Sequence, residues 1–154
     1  MTESTPRRDP ALLDLYKLAA EMADRVSARR GSTNSFFVTL QSVLIATLGF
    51  LTADDATPDR LILVAVCSAG VITAVTWFLL LRSYRDLNRA KYTVILELEK
   101  QLPHAVFGDE WLSLKKDPVK WWRPRYAELG TVERVVPLAF AALNVILGYY
   151  LGWS

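Results

Sequence analysis

Side chains that could do chemistry are few in this sequence of 154 residues, and their spacing keeps them apart. His104 is the only histidine and follows Pro103 at an expected helix end, where a lone imidazole serves structure more readily than catalysis. Glu97 and Glu99 stand two apart, so on a helix they point in different directions and make a poor carboxylate pair. Asp109 and Glu110, next to Trp111, read as a capping pair. Cys67 is the only cysteine and falls inside an apolar run, so no intrachain disulfide can form and it reads as a small buried hydrophobe. There is no phosphate-cradling glycine loop, no strand-to-helix dinucleotide fingerprint and no paired metal-ligand spacing. The sequence therefore predicts no catalytic residue, no cofactor, no metal site and no enzymatic activity.

One polar constellation remains. Asn34 and Gln41 are seven apart and share a helix face, with Thr39 nearby, while Ser35, Ser42 and Gly49 repeat the same spacing on the adjacent face. These residues sit in an otherwise apolar stretch, where an unsatisfied amide is costly, so their faces should avoid lipid tails. Two readings stay open. The row is glue between helices of one chain, or, if several copies form a ring, Asn34, Thr39, Gln41 and Ser42 line a pore as constriction groups.

The elements that must position this row are membrane spans. A hydrophobic content of 52% and a mean hydropathy of +0.20 are too high for an ordinary soluble domain. The charge is concentrated between three charge-free runs: Gly31 to Ala53, Leu61 to Leu81 and Val135 to Ser154. At about 1.5 Å per residue, roughly 20 positions cross a hydrocarbon core of about 30 Å. The expected architecture is an all-α integral membrane protein forming one membrane unit over residues 1–154. An amphipathic helix over 10–30 comes first, ended by Gly31-Ser32-Thr33-Asn34, and a first span follows over 33–53. A second helix opens with Thr57 as cap and Pro58 at its first turn, spans the membrane, and continues without a breaker to residue 102. A third span is expected over 134–153. If it begins at Pro137 it is close to the minimum length, and the competing reading is a re-entrant or interfacial helix.

Packing faces can be read within these spans. Ala65, Ala69 and Thr73 form one row of small residues in the second span, Gly70 and Ala74 another, and Gly148 with Gly152 forms a GxxxG pair in the third. Asn144 lies in mid-span and needs a partner. Leu12, Leu15, Tyr16, Ala19, Met22, Ala23 and Val26 mark the apolar face of helix 10–30, and Tyr84, Leu87, Val94, Ile95, Leu98 and Leu102 that of the extension. The two stripes are natural partners.

Orientation follows from charge. Arg25, Arg29 and Arg30 precede the first span and Arg82, Arg85, Arg89 and Lys91 follow the second, whereas the connecting turn ADDATPD is acidic. The positive-inside rule then puts the N-terminus and the helical extension in the cytoplasm. MTESTPRRDP lacks the apolar core of a signal peptide, so the N-terminus is expected to stay in place. Trp77 is expected as an interfacial anchor, and the irregular stretch 103–131 carries Trp111, Trp121, Trp122 and Tyr126 among lysines and arginines, as a belt at lipid headgroups would. Pro118 and Pro124 break any continuous nucleic-acid platform, so membrane lipid is the expected partner and nucleic acid is not.

YKLAAEMADRVSARR, NSFF at the start of the first span, SYRDLNRAKYTVILELEKQLP, Glu110-Trp111 and VERVVP together resemble the RipA-like family of small octameric bacterial membrane proteins over about residues 14–140. The resemblance implies a homo-octamer in the bacterial inner membrane without a defined biochemical activity. The layout of charged helix, two spans and cytoplasmic helix also looks like the SLATT effectors of bacterial conflict systems, from which the third span departs. The leading expectation is a non-enzymatic, ring-like homo-oligomer forming a pore or channel. The alternatives are a scaffold that recruits a soluble protein through helices 10–30 and 82–102, and a lipid-interacting protein acting through Trp121 and Trp122.

Overall fold

A computed structural model describes residues 10–53, 59–116 and 129–153. These residues form four helices, α1 (Pro10–Leu51), α2 (Arg60–Glu99), α3 (Val106–Lys116) and α4 (Leu129–Trp153), with no strand among them. Three helices are long and apolar enough to cross a membrane: α1, α2 and the stretch Glu133–Leu151 of α4. With 42 and 40 residues, α1 and α2 are each roughly 60 Å long, about twice a hydrocarbon core. Half of each must therefore lie outside lipid.

The expected break at Gly31 is absent. α1 runs unbroken from the charged segment into the first span, and no described glycine adopts positive φ. A helical glycine costs only about 1 kcal/mol relative to alanine, and here the would-be capping groups are engaged by tertiary partners. Thr33 Oγ1 donates to Tyr84 Oη, and Asn34 Oδ1 accepts from the Trp77 indole. α4 likewise continues through Pro137, so the third span is not the minimal helix expected from a start at that proline.

α2 begins later than expected, at Arg60, with Asp59 Oδ1 accepting from the Leu61 amide; the expected cap Thr57 and Pro58 lie outside the described residues. It ends at Glu99, and after a turn Val106–Lys116, within the stretch expected to be irregular, forms α3, while 117–128 lie outside the described residues. Trp121, Trp122 and Tyr126 lie outside the described residues.

The chain divides into two compact units, one of residues 1–28 and 86–126, the other of 29–85 and 127–154. In both, α1 pairs with α2 in antiparallel order, Gln41 meeting Gly70, Asn34 meeting Trp77 and Tyr16 meeting Glu99. The first unit is the charge-rich part of this pair with α3. Ala23, Val26 and Ile95 are its buried apolar residues. The second unit is a bundle of α1, α2 and α4 with two apolar layers. Phe37, Trp77 and Leu81 pack with Val136 and Phe140, and Leu48, Leu63 and Cys67 pack with Leu147 and Leu151.

A Cβ at Gly31 would meet nothing within 4 Å. Gly31→Ala is thus expected to raise stability by about 0.5–1 kcal/mol, whereas Gly31→Pro, which deletes a helix bond and clashes with the preceding turn, should lower it by about 3 kcal/mol. Thermal melting by circular dichroism in detergent measures both.

Candidate functional site: a polar layer inside the bundle and a carboxylate clasp

Between the two apolar layers lies a layer of amides. Gln41 on α1 and Asn144 on α4 are both fully buried. Gln41 Nε2 donates to the Gly70 carbonyl at 2.8 Å and to Thr73 Oγ1 at 3.1 Å, and its Oε1 accepts from Asn144 Nδ2 at 3.1 Å. Asn144 Nδ2 also donates to the Phe140 carbonyl at 2.8 Å. One chain of hydrogen bonds thus ties all three helices at one level. Gly70 makes it possible, because the Asn144 amide occupies the space that a Cβ at Gly70 would fill. Asn144 Oδ1 finds no N–H or O–H donor and abuts this glycine, where only a weak Cα–H contact is on offer.

The layer divides the polar row. Asn34 and Gln41 are consumed inside the bundle. Thr39 and Ser42 face outward with Ser35, and the Thr39 and Ser42 hydroxyls donate to the carbonyls of Ser35 and Val38. Asn34, Ser35, Thr39, Trp77 and Glu133 line an open groove of about 470 Å³, near which Arg30 and Glu133 form an ion pair at 3.4 Å.

The packing rows are also divided. Gly70 and Ala74 are buried in the bundle; along the other row Thr73 meets Gln41 and Ala69 is half-buried, but Ala65 is exposed, because residues four apart drift around the helix by about 40°. Gly148 meets α2 closely, with a Cβ there only 3.2 Å from Cys67 Cβ, and the Gly152 contacts lie outside the described residues. Trp77, expected at the headgroup level, has its whole side chain inside the bundle. It is 1% exposed, stacked on Phe37 at 5.8 Å and hydrogen-bonded to Asn34, since an indole N–H that finds a protein acceptor has no need of the headgroup region. Trp111 remains half-exposed on α3.

In the other unit the sequence reading missed Glu99, which is 2% exposed. Its carboxylate accepts from the Tyr16 hydroxyl at 2.8 Å and from the amides of Phe107 and Gly108 at 2.8 and 3.0 Å. Those amides belong to the first turn of α3, where helix N–H groups lack intrahelical partners and the helix dipole favours an anion. The end of α2 therefore caps α3 and holds α1 with the same group. Phe107 completes the clasp by packing on Tyr16 and Tyr92. Burial pushes the Glu99 carboxyl up, but the two amides and the Tyr16 hydroxyl outweigh it and hold the group below its ordinary value. Tyr16 is pushed up to about 12 by burial and by its bond to Glu99. Glu99 was hard to find because its donors arrive from α1 and α3, 83 and 8 or 9 positions away. Among the described residues no three His, Cys, Asp or Glu side chains gather to hold a metal.

Gly70→Ala should displace Asn144 and lower the stability by roughly 1–3 kcal/mol, and Gln41→Leu by about 0.5–2 kcal/mol, both read from detergent unfolding curves. For the clasp, a depressed carboxyl contributes stability that is present above the unfolded value near 4.3 and lost as pH falls through the folded one. A raised tyrosine contributes stability present below about 10 and lost as pH rises towards about 12. Stability against pH should therefore fall at both ends. Tyr16→Phe should flatten the alkaline limb and Glu99→Gln the acid one.

No curated protein and no solved structure matches the chain. A model of the Octameric membrane protein family (8xMP) matches residues 13–153, a stretch that takes in α2, α3, α4 and all but the first turn of α1. The amide layer, the clasp and the three apolar helices thus all lie inside the matched region, and this multi-pass chain belongs to the Octameric membrane protein family as one subunit of a homo-oligomer.

Proposed function

We propose that the chain is a non-enzymatic subunit of a ring-shaped octamer in the bacterial cytoplasmic membrane, with its N-terminus inside and a central path lined by α1. The orientation rests on the arginines flanking the first two spans and the acidic turn between them. The single observation behind the path is that the membrane part of α1 is divided into three sectors. Phe37, Gln41 and Leu48 face the bundle, and Phe36, Val43 and Phe50 form an exposed, mainly apolar sector suited to lipid, in which the Thr47 hydroxyl is satisfied by the Val43 carbonyl. The third sector, Ser35, Thr39, Ser42, Ala46 and Gly49, is exposed, small and partly hydroxylated.

A hydroxyl that donates to its own helix keeps its oxygen lone pairs for something else. For Thr39 and Ser42 that something is water or a partly dehydrated cation if the sector faces a shared axis. Asn34 and Gln41, already bonded within the subunit, shape the wall and do not touch the permeant species.

Planar-bilayer recording of the purified octamer tests this. Ser42→Cys is nearly isosteric, and the native Cys67 is buried, so a water-soluble cationic thiol reagent should act at position 42 and reduce the current severalfold. Bilayers silent at every voltage, or currents in Ser42→Cys protein indifferent to the reagent, would remove the conduction reading.

A further inference from the structure

In the unit of residues 1–28 and 86–126, one side of the helix pair carries exposed apolar side chains that no described residue covers. Leu15, Leu18 and Met22 on α1 are 56, 53 and 44% exposed, and Leu87 and Val94 on α2 are 46 and 55% exposed. At about 100° per residue, the α1 group is centred roughly 80° around from the buried Ala23 and Val26 stripe. The α2 group lies roughly 110° around, in the same sense, from the buried Ile95 and Glu99. Because the two helices are antiparallel, rotations of like sense bring both groups to one side. α3 docks on the other side, through Phe107 on Tyr16 and Tyr92.

Lipid tails cannot cover this patch. Asp14, Lys17, Glu21, Asp24 and Arg25 recur along this part of α1, and Asp86, Arg89, Lys91 and Glu97 along this part of α2, with Lys100 just past its end. Nor is the patch a basic face for anionic headgroups, since both signs are present and several charges pair along their own helices, Lys17 with Asp14, Arg25 with Glu21 and Lys100 with Glu97. What remains is a near-neutral apolar surface in a family whose members are octameric, each subunit of which must bury surface against neighbours. We infer that the Leu15, Leu18, Met22, Leu87 and Val94 face is a contact between subunits of the octamer, outside the bilayer, covered by a second copy of this chain. The inference rests on octameric assembly and is independent of conduction.

The size of the full-length protein in detergent, by light scattering after gel filtration, tests it. Leu18→Glu and Val94→Glu should each convert the octamer to smaller species, while Leu13→Glu, on the side away from the patch, should leave it whole. Cysteine adds no charge at position 22 or 94, both exposed in the single chain, and in the assembled protein Met22→Cys and Val94→Cys should react about tenfold more slowly with a bulky water-soluble maleimide than Leu13→Cys does. Octamers retained by both glutamate variants, with the thiols of Met22→Cys and Val94→Cys labelled as fast as that of Leu13→Cys, would overturn the inference and leave the face to another protein. Silent bilayers from an octamer that Leu18→Glu dissociates would sink the pore and leave this interface standing.

Discussion

A buried amide in a membrane has no water to turn to, and the bundle is arranged around that constraint. Gln41 and Asn144 each bring a side-chain amide to a level where every lost partner leaves a polar group among apolar layers. Satisfying them needs α1, α2 and α4 at one mutual height, because the Gly70 carbonyl, the Gln41 amide and the Asn144 amide form a single chain of bonds. Apolar packing in lipid is weakly directional, since lipid tails offer much the same contacts as leucine. The amide layer is directional, and so it sets the register that Phe37 on Trp77 and Cys67 on Gly148 then follow.

The charge-rich unit solves a related problem with a charge. A short helix of 11 residues such as α3 is marginal alone, and its first amides need acceptors. Glu99 supplies both oxygens to them while also taking the Tyr16 hydroxyl. A buried carboxylate is expensive to desolvate, and three donors converge to offset that cost. The consequence is a dependence on protonation state at each end of the pH scale, which an apolar core would lack.

The remaining surfaces of α1 divide by chemistry. Along its membrane part, large apolar side chains take one sector and small hydroxylated ones another, while the bundle keeps the amides. Along its charge-rich part, Leu15, Leu18 and Met22 stay uncovered within the single chain. Apolar surface left exposed on one subunit is surface that a homo-oligomer has available to bury between copies.

Three charge-free runs were enough to place three spans, because length and the absence of charge are local properties that lipid reads directly. The polarity of Asn144 likewise announced that it needed a partner. Which partner, and which half of the polar row turned inward, was not local: Gln41 and Thr39 are two positions apart on the same helix, and only the arrival of Gly70 and Asn144 distinguishes them. The same holds for Trp77, whose indole would suit a headgroup until Asn34 offers a nearer acceptor, and for Glu99, whose partners come from two other helices. Composition along the chain thus determined which helices are long and apolar enough to span a membrane, and the tertiary structure alone decided which polar atoms satisfy one another, since hydrogen bonds between distant residues depend on distances that no periodicity contains.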